Sequence, residues 1–482
     1  MGQNTTKRST DYDTVIVGSG PNGLAAGIYL ARKGLRVCII EAAKTAGGGM
    51  RNAELTLPGF HHDVCAAVHP IGALSPYFKQ LGLEKYGLEW VYPEVSVAHP
   101  LDGEAAVILS KSIEETAENL GRDGKKYARM IRPLAQRIDW LMQESLKPLG
   151  MPKHPLFLAK FGMKAIFPAN HFAKLFFKDP RAKALFAGCA AHSILPFDKL
   201  FTSALGLLFL ACGHALDWPV AKGGSQSIAN ALLNCYQAAG GTIVYDQKIK
   251  HWGELPAAKT YLFNTDPQQL ATIAQEHLPR RYLKRLGKFN YGPGVFKIDY
   301  ALSEPIPWQD PCCLGASTVH LGNTIEEIAQ AEKAAWKGIP PAKPYVLVAQ
   351  QSQFDPTRSP AGQHTGWAYC HVPQGCTQDM TEALEAQIER YAPGFRDVVL
   401  ARHTITPQAL QDYNPNYVGG AVTGGAANLT QLFTRPVARW NPYTTPNPQI
   451  FIGSASTPPG GGVHGMGGYY AARAIAKRLK IE

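Results

Sequence analysis

The chain has 482 residues, enough at roughly 100–200 residues per domain for two or three domains with sizeable cores. Hydrophobic residues make up 45% and charged residues only 18%, which excludes a disordered tail or a short solvated module. The 48 Lys and Arg against 37 Asp and Glu leave a net charge of +11, compatible with an anionic cofactor, nucleic acid or a membrane surface and selecting none of them.

Residues 1–13 are polar and lack an apolar core, so they do not read as a secretory signal. Residues 13–17, Asp-Thr-Val-Ile-Val, form a β-branched run expected to be a buried strand, and Gly18-Ser-Gly-Pro-Asn-Gly23 follows before a helical stretch over 24–33. In that setting Gly18 permits a tight turn, Gly20 lets backbone approach a diphosphate beside Pro21 and Asn22, and Gly23 lets helix and strand pack closely. The helix N-terminus then offers N–H donors to the phosphates. A second strand over 36–40 ends in Glu41, placed to bind a ribose diol. Gly47, Gly48, Gly49, Met50 and Arg51 come next, a glycine cluster and a cation suited to the same diphosphate.

His69, before Pro70, is a candidate acid, base or pocket residue, and residues 76–143 mix short strands with amphipathic helix. Residues 155–216 are rich in Phe, Leu, Ala and Lys and are broken by Pro168, Pro180 and Pro196. Phe157, Phe161, Phe167, Phe172, Phe176 and Phe177 interleave with Lys160, Lys164, Lys174, Lys178, Arg181 and Lys183. Two readings stand: a basic amphipathic surface that meets a membrane, or a helical cap with its apolar side on a sheet. The longest apolar run, 204–211, is far short of the roughly 20 residues that span a bilayer. His192 is a second acid or base candidate.

A helix over 225–239 stops at Gly240-Gly241, a strand over 242–245 follows, and Ile249 and Asn264 are assigned to the cofactor site. Residues 345–349 and 365–371 read as strands of a second sheet, with Arg358 and His364 anchoring the loop between them. Near the carboxyl end, residues 451–468 carry Gly453, Ser454, Gly462, Val463 and His464 before a final helix over 469–479. Those glycines let backbone lie against a flat ring, and the helix aims its positive end there, which suits a flavin with negative charge near N1 in its reduced form. His464 is the side chain expected nearest that ring, or else a loop histidine bonded to a backbone carbonyl.

Together these motifs resemble the amine oxidase and phytoene desaturase superfamily of FAD-dependent oxidoreductases. The segments 187–193, 218–224, 301–308, 352–364 and 458–465 resemble its phytoene dehydrogenase-related branch. One departure is Ser454, where many relatives carry an acid for the ribityl chain. The resemblance implies an α/β fold: a discontinuous Rossmann-like FAD-binding domain from 10–75, 218–290 and 410–482, and a mixed-sheet substrate domain from 76–217 and 291–409, with 155–216 as cap. It also implies noncovalent FAD, an apolar isoprenoid or lipid-like substrate, and hydride transfer to or from flavin N5.

Nine cysteines without a CxxC pair indicate neither a disulfide framework nor a zinc knuckle, so no metal site is expected and the compartment is read as reducing and cytoplasmic, with peripheral membrane contact open. Cys312 and Cys313 read as ordinary strand or loop residues. HExxH, Walker A and GxSxG motifs are absent, which removes metalloprotease, P-loop and hydrolase readings. Two alternatives remain. An amine oxidase would use Tyr469 with Tyr470, or Trp440 with Tyr443, as an aromatic pair; a non-catalytic prenyl carrier of the same fold would not need both glycine sites intact. Scattered charge without a recognised module leaves nucleic acid outside the expected partners.

Overall fold

The computed structural model describes residues 11–481; the polar stretch through residue 10 lies outside them. Five parallel strands form the first sheet, in the order Ile450–Ile452, Ala258–Phe263, Tyr12–Val17, Val37–Ile40, Thr242–Val244. Successive side chains of a strand face opposite ways. Ile16 and Ile39 therefore pack with Leu24, Ile28, Leu232 and Ile475 of helices Pro21–Arg32, Gln226–Ala238 and Met466–Leu479. Val15, Val17 and Ile40 pack on the other face with Leu270, Tyr282 and Leu286. Burial on both faces explains why these strands are nearly continuous Val and Ile.

The second sheet is mixed and seven-stranded, ordered Val399–Ile405, Gly294–Leu302, His364–Val372, Val346–Ala349, Ala316–Leu321, Val95–Leu101, Glu104–Ser110. Only Ala316–Leu321 and Val95–Leu101 run parallel. Helix Thr381–Tyr391 covers one face through Leu384, Ile388 and Tyr391. Part of the other face carries the cap, whose helices are Pro155–Ala165, Ala169–Phe176, Pro180–Ala191 and Thr202–Leu216. Pro155 and Pro180 open their helices, where a missing N–H costs nothing. Phe161, Phe172, Phe177 and Phe186 point inward, Phe172 and Phe186 stacked at 4.7 Å.

Two helix starts differ from the sequence reading. The first helix begins at Pro21 and the last at Met466, each about one turn early, because Pro is tolerated at the first helical position and glycines do not stop a helix held by close packing. Cys312 and Cys313 lie in a short 3-10 turn, Pro311–Gly315, with free thiols.

Candidate functional site

One cavity of about 570 Å³ runs from the carboxyl ends of the parallel strands to the second sheet, the crevice where open α/β sheets hold ligands. At its first end Gly18, Gly20, Pro21 and Asn22 line the wall. Gly20 caps helix Pro21–Arg32 and no side chain satisfies the first-turn N–H groups, which leaves a ready anion site. Gly23 is a close-approach residue: a Cβ there would sit 2.0 Å from the carbonyl oxygen of Gly18. That carbonyl accepts a hydrogen bond from Asn264 Nδ2 at 3.1 Å, tying the loop to the residue that follows strand Ala258–Phe263. Glu41 is buried at the cavity wall; its Oε2 accepts from the Ser19 backbone N–H at 2.8 Å and its Oε1 from the Ala43 N–H at 2.9 Å. Arg51 donates to the Gly48 carbonyl at 3.0 Å and stacks 4.6 Å from the Tyr413 ring centroid. A diphosphate and a ribose fit this end: glycine backbone, uncapped N–H groups, a cation and a fixed carboxylate.

The opposite end is made of side chains. Val68, Ile71, Phe209, Trp218, Leu347 and Tyr369 give an apolar wall. Lys297 enters it from strand Gly294–Leu302, its Nζ 5.6 Å from the Trp367 ring centroid and ion-paired with buried Asp299. Burial lowers the Lys297 pKa, and burial raises Asp299 to about 6 although Lys297 opposes the rise. His69 Nε2 lies 2.8 Å from Ser225 Oγ, and that hydroxyl donates to the Ala66 carbonyl, so His69 carries its proton on Nε2. Burial pulls His69 down to about 4. His192 packs against Phe209 and Trp218, with its Nε2 3.1 Å from His320 Nε2, and burial pulls it down to about 3. Both imidazoles are neutral at pH 7. Next to His69, through Ser225, Arg358 pairs with Asp63 at 2.9 Å; burial alone would raise that carboxyl, and Arg358 with the Ser225 N–H holds it below the usual range.

A family model described as NAD(P)-binding Rossmann-like domain matches residues 16–81. Pyridine nucleotide-disulfide oxidoreductase domain-containing protein 2 of Rattus norvegicus is 25% identical over 98% of this chain and 94% of its own length. One of the subunits of limonene dehydrogenase from Castellaniella defragrans is 24% identical over 98% of this chain and 95% of its own. Among solved structures, an engineered putrescine oxidase superposes with a TM-score of 0.63 at 16% identity, covering 97% of this chain and 99% of that one. The chain is an oxidoreductase with a Rossmann-like dinucleotide-binding domain, similar over nearly its whole length to these proteins.

In this oxidoreductase the cavity gathers Gly18, Gly20, Pro21, Asn22, Glu41, Gly48, Gly49, Arg51, Ile249, Asn264, Ser454, Gly462 and Val463, with His69 and His192 at the far end. It does not gather Gly23, Met50, Gly453 or His464. Met50 is a core residue against the first sheet's helices, and a Cβ on Gly453 would meet Ala471 Cβ at 2.6 Å, so both serve packing. His464 is the main correction. Its ring, 1% exposed, turns back so that Nδ1 accepts the Met466 N–H at 3.1 Å, a helix cap in place of a contact with the cavity. The neighbouring Gly468 donates its N–H to Asn22 Oδ1, so the final helix spends part of its positive end on the first helix. Ser454 Oγ is bonded to Ser456 Oγ at 2.7 Å.

Tyr469 and Tyr470 pack with Tyr29, Tyr77 and Tyr443 away from the cavity, and Trp440 is fully exposed. One aromatic pair at the cavity is Trp367 with Tyr369, centroids 5.0 Å apart, and Phe209 with Trp218, 5.1 Å apart, is another. Sequence reasoning missed Trp367, Tyr369 and Lys297. A signal for the lysine existed: Lys297 and Asp299, opposite charges two apart, share one face of an otherwise apolar strand.

Proposed function

We propose that this oxidoreductase binds FAD noncovalently and transfers hydride between a C–H bond of an apolar, isoprenoid or lipid-like substrate and the flavin. The observation that carries the reading is the continuity of one cavity between a diphosphate-and-ribose end and an apolar end. Glu41 would hold the ribose, the first turn of helix Pro21–Arg32 and Arg51 the diphosphate, and the Gly462–Val463 backbone the ring. FAD supplies N5 as the hydride partner. The chain does the rest. Phe209, Trp218, Leu347 and Tyr369 bury the substrate at about 25 cal/mol per Å² of apolar surface and exclude water. Desaturation also takes a proton from the neighbouring carbon, and His69 and His192 stand in the wall as neutral bases.

An amine is the less favoured substrate. The charged residue at the apolar end is a lysine, its partner Asp299 is already committed, and that lysine occupies the Trp367 ring an ammonium would need. Anaerobic bleaching of the flavin by a panel of isoprenoids, long-chain lipids and short amines tests this. Bleaching by the first two classes is expected, with His69→Gln and His192→Gln slowing it. Rapid bleaching by amines alone would replace this reading with an amine oxidase.

A further inference from the structure

We infer that the outer face of the cap, centred on helix Pro155–Ala165, is a docking surface for an anionic lipid bilayer. Among the described residues, half of the exposed large hydrophobic side chains fall between 140 and 200. Leu149, Met151, Leu156, Met163, Ile166 and Leu175 stand out, Met151 at 92% and Leu156 at 79% exposure. On helix Pro155–Ala165 these have a period: Leu156, Ala159 and Met163, continued by Ile166, form one helical stripe turned to solvent, while Phe161 and Ala165 face the core. A helix buried on one side normally presents charge on the other. This one presents a second apolar stripe flanked by cations.

The charge is one-signed. Residues 145–178 contain six lysines and no Asp, Glu or Arg. Lys153, Lys160, Lys174 and Lys178 are exposed. Beside the stripe lies a groove of about 320 Å³ whose floor is Leu134, Phe161 and Leu207 and whose rim carries Arg129, Arg137, Lys160 and Lys164. Phosphate at the rim with an acyl chain on the floor matches that arrangement, and exposed Leu and Met beside lysines match the boundary between headgroups and chains. A second copy of this chain does not match: an isologous contact here would set lysine against lysine. No helix among the described residues is long and apolar enough to cross a membrane, so contact is with the bilayer surface. Helix Thr202–Leu216 joins this face to the chemistry, Leu207 lying under the groove and Phe209 in the wall of the main cavity.

The inference stands apart from the flavin reading. Its test is flotation of the full chain with phosphatidylcholine vesicles, with and without phosphatidylglycerol, at low and high salt. Binding to the anionic vesicles that falls with salt is expected. A cation near an anionic surface is worth about fivefold in affinity, so Lys160→Glu with Lys164→Glu should weaken binding by about twentyfold or more. Leu156→Ser with Met163→Ser should weaken it in both salts, and Lys337→Glu, remote in sequence from the cap, should not. Equal binding to neutral vesicles, binding to neither, or a dimer that the two double variants dissolve would each overturn the proposal. Thermal melting and flavin content of the variants report folding, so a lost cofactor and a lost membrane contact are told apart.

Discussion

On the strand-end side of the cavity the wall is largely backbone, drawn mostly from residues 17–51, and the groups lining it are N–H donors, the Glu41 carboxylate and the Arg51 guanidinium. On the side of the second sheet the wall is side chains brought together from Val68, His192, Lys297, Leu347 and Trp367, five separate stretches of sequence. The first construction tolerates little change of shape and much change of neighbouring side chains. The second can be recut residue by residue without disturbing the first. A fold that pairs them keeps one cofactor site and varies what it acts on.

The largest expected effect is on the side-chain end. Lys297→Met removes one partner of a buried ion pair and leaves Asp299 with His62 at 3.7 Å, which should cost about 3–5 kcal/mol in urea unfolding. Lys297→Met with Asp299→Leu should recover most of that. A single variant as stable as the parent would show that the pair is not what holds this wall. On the backbone end, Gly23→Ala drives a methyl against the Gly18 carbonyl, and a loss of about 1–3 kcal/mol together with loss of bound flavin is expected. Flavin retained at full occupancy would mean that the loop has slack that the packing does not suggest.

Glu41→Ala separates binding from folding. It should weaken FAD by about 1.5–3 kcal/mol in a fluorescence titration, the worth of a hydrogen bond to a charged group, with the apolar end unaffected. An unchanged affinity in folded protein would place the ribose elsewhere.

The most gradual effect is the pH dependence. Burial depresses His69, His99, His214 and His464 to about 4 and His62 and His192 to about 3. A histidine whose folded pKa is depressed contributes full stability above its unfolded value near 6.5 and loses it as pH falls toward the folded value. Each should therefore cost about 1.4 kcal/mol per pH unit below about 6.5, and the melting temperature should drop steeply between pH 7 and 5. A flat profile would mean that these imidazoles are reached by water.

How much of this was legible in the sequence follows from the same contrast. The loop Gly18 to Gly23, Glu41 and the order of the first strands depend on spacing within about 30 residues, and local spacing is what a sequence displays. The strand that bears Lys297 was hidden because its neighbours, His364–Val372 and Val399–Ile405, come from about 60 to 110 residues away, and pairing across such a distance leaves no local mark. His192 was visible, but its partner His320 lies 128 residues on. His464 was left between two readings because a glycine-rich loop does not reveal which way its histidine turns. In the cap the phenylalanines drew attention by their regularity, yet they pack inward and the solvent-facing apolar stripe is Leu and Met.

The most direct test of the central claim is the cofactor content of the purified full chain. The account predicts a yellow protein with a flavin absorbance spectrum that releases FAD, close to one per chain, on heat denaturation, and that takes FAD back after removal. A colourless, folded protein that cannot be reconstituted with FAD would contradict it.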